Sequence, residues 1–410
     1  MIKNVAVVGL GYVGLPLSLQ IVASGFQVTG IDSDEKRVRS LSQGHSFTRD
    51  ISAQALLSSL ETGLTVSSSF DAIKDAQVVV ICVPTPLDDS GERPDLTYVL
   101  RAVREISTRI EQGTTVILES TVAPGTTDGV VLEEFLVAGL SVDKDFYLGY
   151  SPERINPGSQ GQGVGQVPKI VAGSTTESRR RITAFYEQVV DCVVELSGTR
   201  EAEFAKLLEN TYRLVNISLI NELALAASHM GVDFREVVRG AATKPFGFHA
   251  FFPSAGAGGH CIPIDPVYLA TEVYAQTGEY LSVANAAIDV NRRTPGRFVD
   301  QLIASQGAVE GKDVLVVGMS YKSGVSDVRN SPALTIVERL MDLGSFVWIY
   351  DDAVAEVTVR DQRFESVDLL SSDQMYDFAL VLQSQGDSTI ELIRNHSRKI
   401  YTAAGFWGEM

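Results

Sequence analysis

Cysteine is scarce in this 410-residue chain. Cys82, Cys192 and Cys261 are too few, and odd in number, to make a disulfide framework, and they point to a reducing compartment. Cations are also in short supply, with 34 Lys and Arg against 51 Asp and Glu. The resulting formal charge of −17 speaks against nucleic acid or an anionic membrane as a partner. No apolar run approaches the roughly 18 residues of a spanning helix, and no charged segment leads into an apolar one as in a secretory leader. A cytoplasmic protein is expected. What is plentiful is apolar: 45% hydrophobic and 21% charged residues are a globular composition, and the length asks for two or three domains.

Near the start, Val5-Ala6-Val7-Val8 feeds directly into Gly9-Leu10-Gly11-Tyr12-Val13-Gly14. A helical pattern follows from Leu17 to Ser24, Gly25 stops it, and Gln27 to Ile31 reads as a second strand ending at Asp32. Strand, Gly-x-Gly-x-x-Gly, helix, strand and acid in that order form a dinucleotide-binding fingerprint, with Gly9, Gly11, Tyr12, Val13 and Gly14 against the cofactor. Asp32, 18 residues past Gly14, would accept from ribose hydroxyls and repel a 2′-phosphate, which favours NAD. Lys36 and Arg37, close behind it, leave NADP open.

To about Gly173 short β-branched runs alternate with helical stretches, as a doubly wound parallel sheet requires. The expected strands are Val5–Val8, Val28–Ile31, Val78–Val83, Thr115–Glu119, Tyr147–Gly149 and Lys169–Ala172. Cys82 and Cys192 are expected as packed strand residues. The glycine- and glutamine-rich stretch from Gly158 to Gly165 reads as a mobile loop. From Glu201 to Gly231 the texture changes: Ala205, Leu208, Tyr212, Val215, Leu219, Leu223 and Ala226 recur at helical spacing. Such a helix, about 45 Å at 1.5 Å per residue, could bridge two lobes or two subunits. Lys206 and Asn210 fall one turn apart on it. A second αβ pattern opens at Asp313–Gly318, with a helix Ser331–Leu343 and strands Phe346–Tyr350 and Phe378–Leu382. It lacks the glycine triplet, so a second dinucleotide is not expected.

Between these patterns lies Gly256-Ala257-Gly258-Gly259-His260-Cys261-Ile262-Pro263-Ile264-Asp265-Pro266. Glycines let a backbone approach a ligand, and an accessible thiol in such a loop can act as a nucleophile. A tight turn with a packed thiol is the alternative.

Together these segments resemble the nucleotide-sugar 6-dehydrogenases, the UDP-glucose, UDP-N-acetylhexosamine and GDP-mannose dehydrogenases. The likeness runs through Gly9–Pro16, Cys82–Pro86, Glu119–Thr127, Ser151–Arg154, Lys206–Thr211, Gly258–Pro266 and Gly318–Pro332. It implies an NAD-binding Rossmann domain over 1–198, a central all-helical dimerisation domain over 199–300, and a Rossmann-like sugar-nucleotide domain over 301–410. It further implies a homodimer and a four-electron oxidation of the sugar's C6 hydroxymethyl group to a carboxylate, with two NAD used in turn. Cys261 matches the catalytic thiol, Lys206 and Asn210 the groups that hold the oxyanion, and Asp265, Glu153 and Thr121 those that position and activate water. Asp32, Arg37, Thr85, Thr121 and Arg329 match cofactor contacts. Glu153, Arg154, Ile155, Asn156, Pro157, Lys206, Asn210, Phe252, Gly258 and Lys322 match sugar-nucleotide contacts. No metal is implied.

One departure is Pro253-Ser254-Ala255-Gly256-Ala257-Gly258, where many bacterial relatives carry Pro-Gly-Pro-Gly. That loop lies against the sugar nucleotide in the family, so it bears on the substrate. Ser151–Gly158 and His260–Asp265 resemble the UDP-N-acetylhexosamine branch, with UDP-glucose or a thymidine-linked sugar still open. A one-step alcohol or 2-hydroxyacid dehydrogenase with a structural Cys261, and a non-catalytic nucleotide-binding protein, are the competing readings.

Overall fold

The computed structural model describes residues 2–48, 51–88, 91, 93–154, 164–371, 373–383, 385–403 and 408–409. Ile155, Asn156, Pro157 and most of the expected mobile loop (158–163) lie outside them. The chain divides into two units, one of Met1–Glu209 with Thr271–Gly278, the other of Asn210–Ala270 with Glu279–Met410.

Among the described residues, the first unit is built on eight strands: β1 (Asn4–Val8), β2 (Gln27–Ile31), β3 (Leu64–Ser67), β4 (Val78–Ile81), β5 (Thr114–Leu118), β6 (Phe146–Tyr150), β7 (Lys169–Gly173) and β8 (Val193–Glu195). They lie in the order β3-β2-β1-β4-β5-β6-β7-β8. All neighbours are parallel except β6 and β7. Successive side chains point to opposite faces, so Val5, Val7, Val78 and Val80 enter one core while Ala6, Val8, Val79 and Ile81 enter the other. Covering both faces is what makes these strands continuous apolar runs.

The six expected strands form within a residue or two of their bounds. Strands β3 and β8 were missed because they are short edge strands with polar residues. The strand at Val78 ends at Ile81 rather than Val83. Cys82 just beyond it is buried, but Cys192 is exposed in the turn before β8, so the packed-strand reading of Cys192 is corrected.

The long helix runs Thr199–His229. Its inward residues are Ala202, Glu203, Lys206, Leu207, Asn210 and Leu214. Four of the apolar residues that mark it in sequence face outward instead: Leu208 is 55% exposed, Tyr212 47%, Leu219 49% and Leu223 45%.

In the second unit the sheet order is β10-β9-β13-β14-β15, from β9 (Asp313–Val317), β10 (Phe346–Tyr350), β13 (Phe378–Val381), β14 (Ile400–Thr402) and β15 (Gly408–Glu409). Strands β11 (Glu356–Val359) and β12 (Gln362–Glu365) form a separate hairpin. Val314 and Val316 pack into one core and Leu315 and Val317 into another. The helix Pro332–Asp342 starts cleanly, with Pro332 in its first turn and the Ser331 hydroxyl accepting from Ala333 N. Among the described residues no helix is long and apolar enough to cross a membrane.

Candidate active site

Two of the fingerprint glycines, Gly9 and Gly14, are required by packing, whereas a Cβ on Gly11 would meet nothing within 4 Å. Gly9 sits at φ +93°, and a Cβ on it would meet the Cys82 carbonyl oxygen at 2.6 Å. A Cβ on Gly14 would come within 1.9 Å of the Gly9 carbonyl oxygen. The helix Gly14–Ala23 begins without a side-chain cap and without an acidic residue in its first turn. Its amides and dipole therefore suit the pyrophosphate of a dinucleotide.

At the end of β2, Asp32 accepts from Leu10 N and Arg37 Nη1 on Oδ2, each at 2.9 Å, and from Asp34 N on Oδ1 at 2.9 Å. Arg37 lies 5.0 Å over the Phe47 ring, which packs edge-on against Tyr12 at 5.5 Å. Sequence reading missed Phe47, a lone aromatic in an aperiodic stretch. Thr85 and Thr121 are half-buried on the loops that follow β4 and β5, at the carboxyl ends of those strands.

A set of buried charges lies in the same unit. Lys169 Nζ contacts Glu119 Oε2 at 2.8 Å and Glu153 Oε2 at 3.3 Å. The Tyr186 hydroxyl donates to Glu119, and its ring lies under the Lys169 ammonium. Lys206 Nζ donates to the Glu153 carbonyl oxygen at 2.5 Å. Arg154 pairs with Glu209 at 2.7 Å. Burial pushes Glu119 up against the pull of Lys169. Burial alone would lower the Lys169 ammonium, but Glu119 and Glu153 outweigh it and keep it charged.

Glu203, one turn before Lys206 and fully buried, accepts from Thr127 N at 2.8 Å, Thr127 Oγ1 at 2.6 Å and Gly125 N at 2.5 Å. It ties the long helix to the loop that starts at Thr121. Glu119, Lys169, Tyr186 and Glu203 were also missed. The one available signal was a lysine opening an otherwise apolar strand.

In the second unit the cysteine loop turns into the helix Asp265–Thr277, with the Cys261 carbonyl accepting from Ile264 N at 3.1 Å and Asp265 N at 2.9 Å. Cys261 is half-buried, and Asp265 is buried with Oδ2 accepting from Asn210 Nδ2 at 2.6 Å. A Cβ on Gly258 would meet the Asn330 carbonyl oxygen at 2.6 Å. The departing loop is held by two buried asparagines that carried no sequence signal. Asn221 Oδ1 accepts from Ser254 N at 2.8 Å, and Asn291 Oδ1 from Ala257 N at 2.7 Å.

Arg329 grips Asp327 with Nε at 2.9 Å and Nη2 at 2.6 Å. Burial raises the Asp327 carboxyl, yet the bonds from Arg329 hold it below its usual range. Lys322 is half-buried and Phe252 exposed. Asp351, which ends β10 as Asp32 ends β2, is spent on internal donors: Met319 N, Ser320 N, Ala353 N and Val354 N.

Three family models match in order along the chain. They describe the UDP-glucose/GDP-mannose dehydrogenase family: its NAD binding domain at residues 3–190, its central domain at 200–293 and its UDP binding domain at 315–388. The chain belongs to this family. It is an NAD-dependent oxidoreductase, as the resemblance implied.

A UDP-N-acetyl-D-glucosamine 6-dehydrogenase of Pseudomonas aeruginosa is 36% identical, covering 86% of this chain and 83% of that protein. Protein CapL of Staphylococcus aureus is 34% identical over 93% of this chain and 89% of its own. Among solved structures, a UDP-D-ManNAc dehydrogenase from Pyrococcus horikoshii aligns with a TM-score of 0.87 at 30% identity, covering 98% of this chain and 95% of the other.

Proposed function

We propose that this enzyme oxidises the C6 hydroxymethyl group of a UDP-N-acetylhexosamine to a carboxylate in two steps. The observation that carries the reading is the cysteine loop: a half-buried Cys261 in a glycine-framed turn, followed at once by the buried Asp265–Asn210 pair. NAD, when bound, takes the hydride in each oxidation. The chain's own residues do the rest. Loss of hydride from C6 and of a proton from its hydroxyl gives an aldehyde, and the Cys261 thiolate adds to the carbonyl carbon, whose oxygen takes up a proton, to form a thiohemiacetal. Loss of the second hydride from C6 and of the thiohemiacetal hydroxyl proton leaves a thioester. Water adds to that carbonyl, the C–S bond breaks, and the uronic acid departs as the thiol is restored.

Lys206 and Asn210 hold the oxyanion, and Glu153, Asp265 and Thr121 position water and take its proton. Gly9, Gly11, Tyr12, Val13, Gly14, Asp32, Arg37, Thr85 and Arg329 serve the cofactor. Arg154, Phe252, Gly258 and Lys322 serve the sugar nucleotide. The N-acetylhexosamine assignment is supported by relatives named UDP-N-acetyl-D-glucosamine 6-dehydrogenase and UDP-N-acetyl-D-mannosamine dehydrogenase.

The same reading makes the protein cytoplasmic and divides it at 1–198, 199–300 and 301–410. It also makes the protein a homodimer through the long helix. Phe204, Leu208, Tyr212, Leu219 and Leu223 are exposed on that helix at steps of four or seven, the seam of a helix–helix contact.

The experiment is a screen of NADH formation from UDP-N-acetylglucosamine, UDP-N-acetylmannosamine, UDP-N-acetylgalactosamine, UDP-glucose, dTDP-glucose and GDP-mannose. Two NADH per sugar from a UDP-N-acetylhexosamine is expected. One NADH with free aldehyde accumulating overturns the two-step reading, and preference for another sugar overturns the substrate.

A further inference from the structure

Strands β5 and β6 are parallel and paired Leu118 to Tyr150, so Glu119 and Ser151 leave the sheet side by side. Strand β7 returns antiparallel, with Tyr150 opposite Ala172. Continued three residues past Tyr150, that register sets Glu153 opposite Lys169. Ser151 holds the extension in place by donating from Oγ to the Ile170 carbonyl at 2.8 Å. Sheet topology thus gathers two carboxylates and one ammonium, each less than a tenth exposed, where β5 and β6 end and β7 begins.

The two acids share one cation unequally. Lys169 is nearer Glu119, at 2.8 Å, than Glu153, at 3.3 Å. The Tyr186 hydroxyl adds a second donor to Glu119. Glu153 Oε1 accepts from Arg154 N at 2.6 Å, while the Arg154 guanidinium is turned to Glu209. Lys206 reaches the Glu153 main chain rather than its carboxylate. Cys82, buried at the end of β4, completes the titratable surroundings. Glu119 takes the larger part of the local positive charge, and its own charge stands beside Glu153 across the shared Lys169 ammonium.

We propose that Lys169, Glu119 and Tyr186 are positioning residues that hold the Glu153 carboxylate and set the pH at which it accepts a proton. This rests on the reading above, in which Glu153 takes a proton from water as the water oxygen bonds to the thioester carbon and the thiolate leaves. None of the three need touch the substrate. Their effect reaches the reaction through the charge balance at Glu153, so removing one partner moves the basicity of Glu153 in a direction set by its sign.

Acyl-enzyme hydrolysis is followed against pH in single turnovers of the full chain, with the UDP-sugar that gives NADH. The wild-type profile sets the reference for the rising limb, the side on which the group that takes the proton from water becomes available. Glu119→Gln gives Lys169 wholly to Glu153 and removes a like charge, so the rising limb moves to lower pH by about 1–3 units. Lys169→Met moves it to higher pH. Lys169→Arg keeps the charge and stays near wild type. The double variant Lys169→Met with Glu119→Gln restores charge balance in case Lys169→Met alone does not fold, and its limb falls between those of the two single variants. Coincidence of the Glu119→Gln limb with wild type, while Glu153→Gln abolishes hydrolysis, overturns this inference alone. Wild-type hydrolysis by Glu153→Gln overturns instead the role of Glu153.

Discussion

Asn210 Nδ2 donates to Asp265 Oδ2 at 2.6 Å, and both side chains are buried. Asp265 is also the first residue of its helix, where the dipole favours a carboxylate. An amide from one helix and the amino end of another therefore fix a carboxylate four residues after Cys261. Asn210→Ala takes away a buried donor to a charged group, a loss of about 1–3 kcal/mol in stability. If Asn210 also holds the oxyanion, kcat falls by about 10²-fold or more, the usual loss on removing one such donor. Thermal unfolding and steady-state kinetics on one preparation separate the two. A loss of stability with kcat unchanged leaves Asn210 as scaffolding.

Asp32 and Arg37 make a second coupled pair, at 2.9 Å. Asp32→Ala removes the carboxylate proposed to accept from the ribose and at the same time releases the Arg37 guanidinium from its partner. The ratio of kcat/KM for NADP over NAD is expected to rise by about 10- to 100-fold, the worth of one or two charge-assisted bonds. Initial rates with both cofactors decide it. An unchanged ratio removes Asp32 from cofactor choice.

Periodicity made the first sheet legible: six strands stand where β-branched runs lead into turns, because a strand covered on both faces must be apolar throughout. Polar clusters were hidden for the opposite reason. Lys169 opens an apolar strand, and its partners Glu119, Glu153 and Tyr186 come from separate elements that only the β6–β7 reversal brings together. The long helix was read correctly for length, but its apolar stripe faces outward. Its inward face is made in part of Glu203, Lys206 and Asn210, which pattern reading takes for solvated residues. Asn221 and Asn291 are of the same kind: each satisfies loop amides 33 or 34 residues away, a relationship with no local signature.

That outward stripe yields a prediction of assembly. Leu219 is 49% exposed, so an arginine there stays solvated in a single chain and costs the fold little. In a helix–helix interface the same charge is buried without a partner. Leu219→Arg is expected to halve the mass found by light scattering at micromolar concentration while leaving the far-ultraviolet circular dichroism intact. A wild-type protein that is already monomeric removes the helix from any interface.

Glu203 gives a pH prediction. Burial lifts its carboxyl to about 7, in spite of the bonds from Thr127 and Gly125. A carboxyl raised above its unfolded value contributes stability that is complete below about pH 4.5 and is lost as pH climbs to about 7. At about 1.4 kcal/mol per unit the loss is on the order of 3 kcal/mol. The melting temperature of wild type should therefore fall between pH 5 and 7 relative to Glu203→Gln, which cannot ionise. Parallel melting curves for the two proteins across that range would show that Glu203 carries no such linkage.

Cys261→Ser should separate the two oxidations. Serine keeps the size of the thiol and a hydroxyl donor, but near neutral pH it is a far weaker nucleophile than a thiolate. The first oxidation forms no bond to the enzyme, so it survives, and an aldehyde or a slowly formed hemiacetal results. The second needs a tetrahedral carbon at C6, because an aldehyde carbonyl gives up its hydride only after a nucleophile has added. A rapid-mixing trace is then expected to show about one NADH per site followed by a stall, with turnover slowed by orders of magnitude. Mass spectrometry distinguishes free aldehyde from sugar attached at position 261. Near-wild-type turnover by Cys261→Ser, with two NADH per sugar, would remove the nucleophile from the mechanism and leave the Gly256–Pro266 loop a structural turn.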